Sequence, residues 1–518
     1  MFAETFWDLV DQRAETTPDA VALLDEDGVR LTFAELREQA SSTAARLAEL
    51  GVGPGTAVAW QLPTRISTVL TLCALARLGA LQMPLLTMYR ERELGALLAA
   101  GRPELVLVPG QWRGTDYTAL AHETVARAGL RAAVVTVGPE GLAPRDPAMI
   151  LPEPPTEARE PRWAYATSGS SGVPKAALHN DRGVLAAARS VVSRTGAGTR
   201  TGDVGCIAFP IGHLGGTQYL TITLLTGTPT LLVEAFDPAR TLATFARHGV
   251  TIIGGSTALY QAVLAERRRT GRSPIPTLRL LTGGGAPLSA ALYHELRAEL
   301  GVEVAHCYGM TEALMVAVAD PADGDELLAT TDGRLIDDVR GRVVAPGGDA
   351  VLGPGEEGEM QVRGTVVTTG YTDPAHNTTA FTPDGWLRTG DLVRMSASGH
   401  VAVTGRIKDV IIRKGENISA LEVEELLLAE PEIAEAAVIG LPDAERGELV
   451  CAVVRPTHPA ARPALGELTT RLRAAGLITR KLPERLEIVD AMPMTGLGKI
   501  AKNELRARFG APAGEKRP

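Results

Sequence analysis

Apolar runs that end in glycine recur through the middle of this chain, and they narrow the folds open to it more than any other feature. Phe209-Pro210-Ile211-Gly212-His213-Leu214-Gly215-Gly216, Ile252-Ile253-Gly254-Gly255-Ser256-Thr257 and Leu280-Leu281-Thr282-Gly283-Gly284-Gly285-Ala286-Pro287-Leu288 each read as a strand breaking into a glycine turn. Parallel sheets present ligand crevices at such strand ends, where glycine permits close backbone approach. One turn of this kind means little, but several in one chain point to strand ends converging on a site. Helices and strands also alternate nearer the start. Phe6, Leu9 and Val10 have helical spacing and precede an apolar strand at Ala20-Val21-Ala22-Leu23-Leu24. Thr32 and Glu35 have capping-box spacing, which predicts a helix from there to Leu50, ended by Gly51, Gly53, Pro54 and Gly55. Strands follow at Ala57–Trp60 and Leu105–Val108. The alternation predicts an α/β fold with parallel sheets.

A chain of 518 residues is too long for one simple domain at roughly 100–200 residues each. Gly- and Pro-rich breaks from about Pro139 to Pro161 set off the first part, and short strands with turns from Gly341 to about Val403 form a small β-rich part. After Ser419 the α/β texture returns, with an acidic helix at Glu422–Glu430, and Ala511–Pro518 reads as a disordered tail. A net charge of −9 argues against a nucleic-acid partner held through phosphates. Cys73, Cys206, Cys307 and Cys451 are scattered without zinc spacing, which suits a reducing cytoplasm. The first residues carry acid rather than base, unlike a secretory signal. The uncharged stretch from Cys206 to Val233 is broken by Gly212, Gly215, Gly216, Gly227 and Pro229, so it reads as buried strands and loops and not as a membrane span.

Chemistry concentrates at Tyr165-Ala166-Thr167-Ser168-Gly169-Ser170-Ser171-Gly172-Val173-Pro174-Lys175. Backbone N–H groups freed by glycine, hydroxyls and one cation make an anion cradle suited to a polyphosphate. A Walker A loop needs glycine directly before Lys-[Ser/Thr], whereas Pro174 precedes Lys175 and Ala176 follows it. A nucleophile elbow needs a last glycine where Val173 stands, and the flanking glycines of serine amidases are absent. Taken alone, the stretch also reads as a flexible surface loop.

Together with Tyr308-Gly309-Met310-Thr311-Glu312, Thr389-Gly390-Asp391, Gly405-Arg406-Ile407-Lys408-Asp409 and Gly496-Leu497-Gly498-Lys499, this stretch resembles the ordered motifs of the adenylate-forming enzymes. That superfamily holds acyl-CoA synthetases, peptide-synthetase adenylation domains and firefly luciferase. The resemblance covers essentially the whole chain, from the Thr32-Phe33 region to Leu505. It implies a large N-terminal domain (1–404) of parallel α/β sub-domains plus the small β-rich part, and a small mobile α+β C-terminal domain (405–518) hinged near Lys408. It also implies that a carboxylate attacks the α-phosphate of ATP with loss of pyrophosphate, after which the acyl-adenylate passes to a thiol.

Residue by residue, the resemblance places Thr167, Ser168, Gly169, Ser170, Ser171 and Gly172 on the β- and γ-phosphates with Lys175 nearby. Tyr308 offers a ring face to adenine, and Gly284, Gly285 and Ala286 offer backbone. Gly309 and Met310 complete the nucleotide set, Thr311 reaches the α-phosphate, and Glu312 holds Mg²⁺. Asp391 accepts the ribose hydroxyls, supported by Arg406, and Lys499 serves adenylation. His213 gates an acyl pocket that includes Gly215, Gly216, Gly254, Gly255, Gly283, Gly284 and Met310. Lys414 and Gly415 form the turn past which pantetheine is threaded. Thr167, His213, Glu312 and Lys499 are the residues implied in catalysis. The chain departs from the family at His306, where an amide or acid is commoner beside adenine, at Ser170-Ser171, where threonines are commoner, and at Asp332-Gly333-Arg334-Leu335, which lacks the usual proline.

The expected activity is that of a cytoplasmic AMP-forming acid–thiol ligase using ATP, Mg²⁺ and CoA, acting as monomer or homodimer. An amide ligase joining the acyl-adenylate to an amino acid, or a stand-alone enzyme loading a carrier protein, is the alternative, and the absence of a carrier domain after Pro518 speaks against a multidomain synthetase. The glycines read as open pocket walls, and Pro84-Leu85-Leu86 with Tyr89-Arg90-Glu91-Arg92-Glu93 resembles the cyclohexanecarboxylate-CoA ligase branch. Both predict a medium-chain or cyclic apolar acid.

Overall fold

Thr32 opens its helix as its spacing predicts. Its hydroxyl accepts the Glu35 amide at 3.2 Å while the Glu35 carboxylate accepts the Thr32 amide at 2.8 Å, satisfying two otherwise unpaired donors of the helix Phe33–Glu49. The computed structural model describes residues 3–142, 150–167, 175–414, 416–443, 446–458, 461–495 and 499–510. These divide into two compact units.

The first unit comprises Met1–Gly341, Val362–Leu387 and Ser398–His400. Its largest sheet has seven strands in the order Gly370–Tyr371, Lys175–Asn180, Pro161–Thr167, Leu81–Pro84, Ala57–Trp60, Leu105–Val108 and Ala133–Thr136. The last five are parallel, and Lys175–Asn180 runs antiparallel to both of its neighbours. Central strand residues such as Ala59 and Val106 are buried against Leu94, Leu97 and Leu98 of the helix Glu91–Gly101 and Ala121 of the helix Tyr117–Arg127. Burial on both faces accounts for the unbroken apolar runs in these strands.

A second sheet sets Ile252–Gly254, Leu280–Gly284 and Glu303–Met310 parallel, then adds Ala313–Val318 and Arg334–Leu335 antiparallel. A third orders Gly205–Ile207, Thr230–Leu232, Val21–Leu24 and Arg30–Thr32. The stretch from Cys206 to Val233 differs from its sequence reading, because between its strands runs a helix, Leu214–Thr226. Gly215 and Gly216 lie in its first turn, where a Cβ at Gly216 would stand 2.3 Å from the Ile211 carbonyl oxygen. They serve close packing at a helix start and do not break it. Among the described residues no helix is long and apolar enough to cross a membrane.

The second unit comprises Arg342–Gln361, Arg388–Ala397 and Val401–Pro518. It holds most of the β-rich sheet, ordered Val339–Val344, Glu357–Gly364, Leu387–Met395 and Val401–Arg406. One tie within the unit is the Ser419 hydroxyl, which donates to the Thr404 carbonyl at 2.8 Å. The unit's other sheet is centred on Gly447–Pro456, whose alternate residues feed two cores. Val450, Ala452 and Val454 pack with Val423, Leu427 and Leu472, whereas Cys451 and Val453 pack with Leu505 and Phe509.

Candidate active site

The hairpin register sets Thr167, the last residue of Pro161–Thr167, opposite Lys175, the first of Lys175–Asn180. Both therefore stand at the two ends of the connection that holds Ser168, Gly169, Ser170, Ser171 and Gly172. Those five lie outside the described residues, as do Gly415, Gly496, Leu497, Gly498 and the expected tail at 511–518.

Lys175 places its ammonium 5.6 Å from the centroid of the Tyr371 ring. The Tyr371 phenol donates to Glu312 Oε1 at 3.0 Å. Glu312 sits in the tight turn between Glu303–Met310 and Ala313–Val318, held by the pairing of Met310 with Ala313 and by its carbonyl, which accepts the Thr368 amide at 2.8 Å. In the same turn the Thr311 carbonyl accepts from His179 Nε2 at 2.7 Å. Because a carbonyl only accepts, that nitrogen carries the proton. Burial lowers the His179 pKa to about 4, against the opposite pull of the Thr311 bond, so the ring is neutral. The structure thus brings Thr167, Lys175, Thr311 and Glu312 into one constellation. It adds Tyr371, which belongs to no motif recognised in the sequence, and His179, a strand histidine that none of those motifs includes.

The strand-end glycines meet as well. A Cβ at Gly283 would stand 2.2 Å from the Gly255 carbonyl oxygen, and one at Gly284 2.0 Å from that of Cys307. A Cβ at Gly254 would overlap the Tyr219 ring at 1.8 Å. These glycines therefore admit backbone or the Tyr219 ring, and the open walls read from them are filled; Gly285 alone of this group has nothing within 4 Å of a built Cβ. Tyr219 donates to the Thr282 carbonyl at 2.7 Å and meets the Phe209 ring edge-on at 5.9 Å. His213 caps the helix Leu214–Thr226, its Nδ1 accepting the Gly215 amide at 3.1 Å, and its ring stands perpendicular to Phe209 at 6.4 Å. Sequence reading found His213 but not Phe209 or Tyr219, which look like ordinary core aromatics.

Tyr308 is buried, and Gly309 lies against the Leu314 carbonyl, where a Cβ would approach to 2.6 Å. His306 is buried with its Nε2 3.3 Å from Asp332 Oδ1, and its Nδ1 has no hydrogen-bond partner among the described residues.

In the second unit, Asp391 is buried and Arg406 Nε lies 2.8 Å from its Oδ1. Gly390, with φ +70°, forms the bend before it. The Lys408 ammonium is pushed below its ordinary pKa by burial and by Arg406, and that of Lys499 falls to about 8 through desolvation first and Arg406 next. Asp391, Arg406, Lys408 and Lys499 so form one electrostatic group. Lys414 adopts the left-handed conformation at φ 50° in the turn that leads to Gly415.

The chain matches the AMP-binding enzyme family over residues 10–372 and the AMP-binding enzyme C-terminal domain over residues 422–499. It belongs to that family and is an adenylate-forming ligase of mixed α/β architecture. Among curated relatives, it is 34% identical to a salicylyl-CoA synthase / salicylate adenylyltransferase of a Streptomyces species, covering 95% of this chain and 91% of the relative. Among solved structures it is similar to ATP-bound MatB from Rhodopseudomonas palustris, with a TM-score of 0.86, 28% identity and coverage of 97% and 99%. It is also similar to the amide bond synthetase McbA from Marinactinospora thermotolerans, with a TM-score of 0.83, 27% identity and coverage of 97% and 99%.

Proposed function

We propose that this ligase converts a single-ring aromatic or similarly flat cyclic carboxylic acid to its adenylate and then to a CoA thioester. The observation that carries the adenylation step is the pairing of Thr167 with Lys175 beside Glu312, which assembles a hydroxyl, a cation and a carboxylate around one connection. Mg²⁺ fits that set, since it is commonly held by one or two carboxylates together with substrate phosphates. ATP fits as well. With Nε2–H directed at Asp332, the orphaned Nδ1 of His306 is an acceptor suited to the exocyclic amine of adenine. Thr311 would bond the α-phosphate, Asp391 the ribose, and Lys499 would offset the charge that develops as carboxylate and α-phosphate join. Bound Mg²⁺ would supply charge neutralisation on the phosphates.

The aromatic trio of Phe209, His213 and Tyr219 supports a flat ring as the acid, and the salicylate relative agrees. A medium-chain acid needs depth that the Tyr219 ring takes up. For the acceptor, CoA is favoured by Gly415, which leaves a side-chain-free turn for a thin pantetheine arm, with the C-terminal part swinging about Lys408 between half-reactions. The McbA likeness is the observation that favours an amide product instead. Incubation with ATP, Mg²⁺, CoA and a panel of benzoate, salicylate, cyclohexanecarboxylate, hexanoate and acetate, read by mass spectrometry, tests the reading. An aryl- or cycloalkyl-CoA is expected. An amide with added amino acid and no thioester would replace the CoA assignment, and best activity on acetate would remove the acid class.

A further inference from the structure

Buried phenols in this chain commonly donate to backbone carbonyls: Tyr117 to Thr87 at 2.7 Å, Tyr219 to Thr282 at 2.7 Å and Tyr260 to Gly255 at 3.3 Å. Tyr293 instead donates to the Asp325 carboxylate at 2.7 Å, and Tyr371 to that of Glu312 at 3.0 Å, but Tyr371 also turns its ring to the Lys175 ammonium at 5.6 Å. Its own placement is tightly determined. It lies on the short edge strand Gly370–Tyr371, paired with Ala177, and its amide donates to Asn377 Oδ1 at 3.0 Å. The His376 ring stands edge-on at 5.9 Å. The Thr368 hydroxyl ties the approach to the strand through the carbonyls of Leu178 at 2.8 Å and Gly370 at 2.7 Å. Gly370 takes φ +138°, and a Cβ there would come within 2.9 Å of Asn377 Nδ2.

We propose that Tyr371 is the positioning residue of the adenylation site, its phenol orienting Glu312 and its ring face holding Lys175, so that one side chain sets both the metal-facing carboxylate and the phosphate-facing cation. The inference rests on the roles proposed above for Glu312 and Lys175. Chemistry supports the division of labour. A donor on Oε1 fixes the carboxylate plane, and Glu312 Oε2 has no donor among the described residues. Partners of this kind, one bond removed from a metal, commonly change metal affinity by about 10–100-fold when lost. The ring face attracts an ammonium through its quadrupole and so restricts where Lys175 points.

Two variants separate the functions, read by calorimetric titration of ATP at graded Mg²⁺ without acid, by pyrophosphate exchange and by thermal unfolding. Tyr371→Phe keeps the ring and loses the donor. It should raise the Mg²⁺ needed for half-maximal ATP binding by about tenfold and leave ATP affinity at saturating Mg²⁺ close to wild type. Tyr371→Leu should share that shift and weaken ATP at saturating Mg²⁺ by a further factor of about three, through Lys175. Wild-type Mg²⁺ dependence in folded Tyr371→Phe, or losses in both variants that follow unfolding temperature alone, would overturn the proposal. Glu312→Gln serves as the reference: if it too keeps wild-type Mg²⁺ dependence, the metal role of Glu312 fails, whereas a shift there without one in Tyr371→Phe rejects Tyr371 alone.

Discussion

Asp391 and Arg406 stand opposite one another in an antiparallel register, with Arg406 Nε 2.8 Å from Asp391 Oδ1. Both act on Lys499, which is exposed as a residue while the protein around its ammonium desolvates it. Desolvation is the largest cause of its lowered pKa of about 8; Arg406 adds repulsion, Asp391 opposes it and Lys408 adds further repulsion. A lysine so tuned is a cation at neutral pH and loses its charge just above it.

A pH profile follows from that value. Adenylation needs the charged form, so kcat/KM for ATP in pyrophosphate exchange should fall as pH rises through about 8, reporting the free enzyme. Removing the repulsion in Arg406→Leu should move this limb to higher pH, although activity drops overall. Thioester formation from supplied acyl-adenylate should lack the limb. Finding the same limb in both half-reactions would assign it to another group.

Lys499→Ala carries the same argument to its limit. A unit charge at ~4 Å in an effective dielectric of about 20 contributes roughly 4 kcal/mol, on the order of a thousandfold in rate. Pyrophosphate exchange should fall by about that factor while conversion of supplied acyl-adenylate to product stays within a few-fold. Equal losses in both would remove the assigned role.

His179 makes a prediction about stability. Its folded pKa of about 4 lies below the unfolded value near 6.5, so the unfolded chain takes up the proton first as pH falls. The contribution is complete above about pH 6.5 and is lost progressively down to about pH 4, at up to roughly 1.4 kcal/mol per pH unit. Urea unfolding across that window should show a steeper decline in wild type than in His179→Leu, which itself should lose about 1–3 kcal/mol at pH 7 through the unpaired Thr311 carbonyl. Parallel curves for the two proteins would mean that His179 titrates normally.

Legibility in the sequence followed the range of the interactions. Thr32 with Glu35, and the strands Ala57–Trp60 and Leu105–Val108, depend on spacing within a few residues, and the structure has them where the pattern put them. The helix Leu214–Thr226 was missed because the reason for Gly216 is the Ile211 backbone, which the pattern does not show. Tyr371 was missed for a similar reason, since its partners Lys175 and Glu312 arrive through sheet pairing from distant parts of the chain. The motif residues themselves were legible as an ordered set. Which of them share a compact unit was not, and Asp391 falls with Lys499 in the second unit.

Gly283 and Gly285 offer a paired test of why strand ends here lack side chains. Both take positive φ, +149° and +86°, but a Cβ at Gly283 would collide with the Gly255 carbonyl oxygen at 2.2 Å whereas one at Gly285 meets nothing within 4 Å. Gly285→Ala should therefore lose only backbone strain, roughly 1–2 kcal/mol, and Gly283→Ala should lose about 1–3 kcal/mol more through overpacking. Chemical denaturation of the two side by side checks this, and equal losses would show that conformation alone selects glycine.

The acid pocket can be tested at Tyr219, whose ring occupies the space beside Gly254 and whose phenol is anchored on the Thr282 carbonyl at 2.7 Å. If that ring sets the depth of the pocket, Tyr219→Leu should lower kcat/KM for benzoate or salicylate and raise it for hexanoate and octanoate, changing the ratio by at least about tenfold, as a few methylenes of apolar contact would. Tyr219→Phe separates shape from hydrogen bonding. It keeps the ring against Phe209, so the preference should remain near wild type while stability falls by only about 0.5–1.5 kcal/mol for the lost hydrogen bond, since the Thr282 carbonyl still accepts the Gly255 amide at 3.2 Å. An unchanged acid preference in folded Tyr219→Leu would place the depth-setting wall elsewhere, and a preference altered equally in both variants would assign selectivity to the phenol rather than the ring.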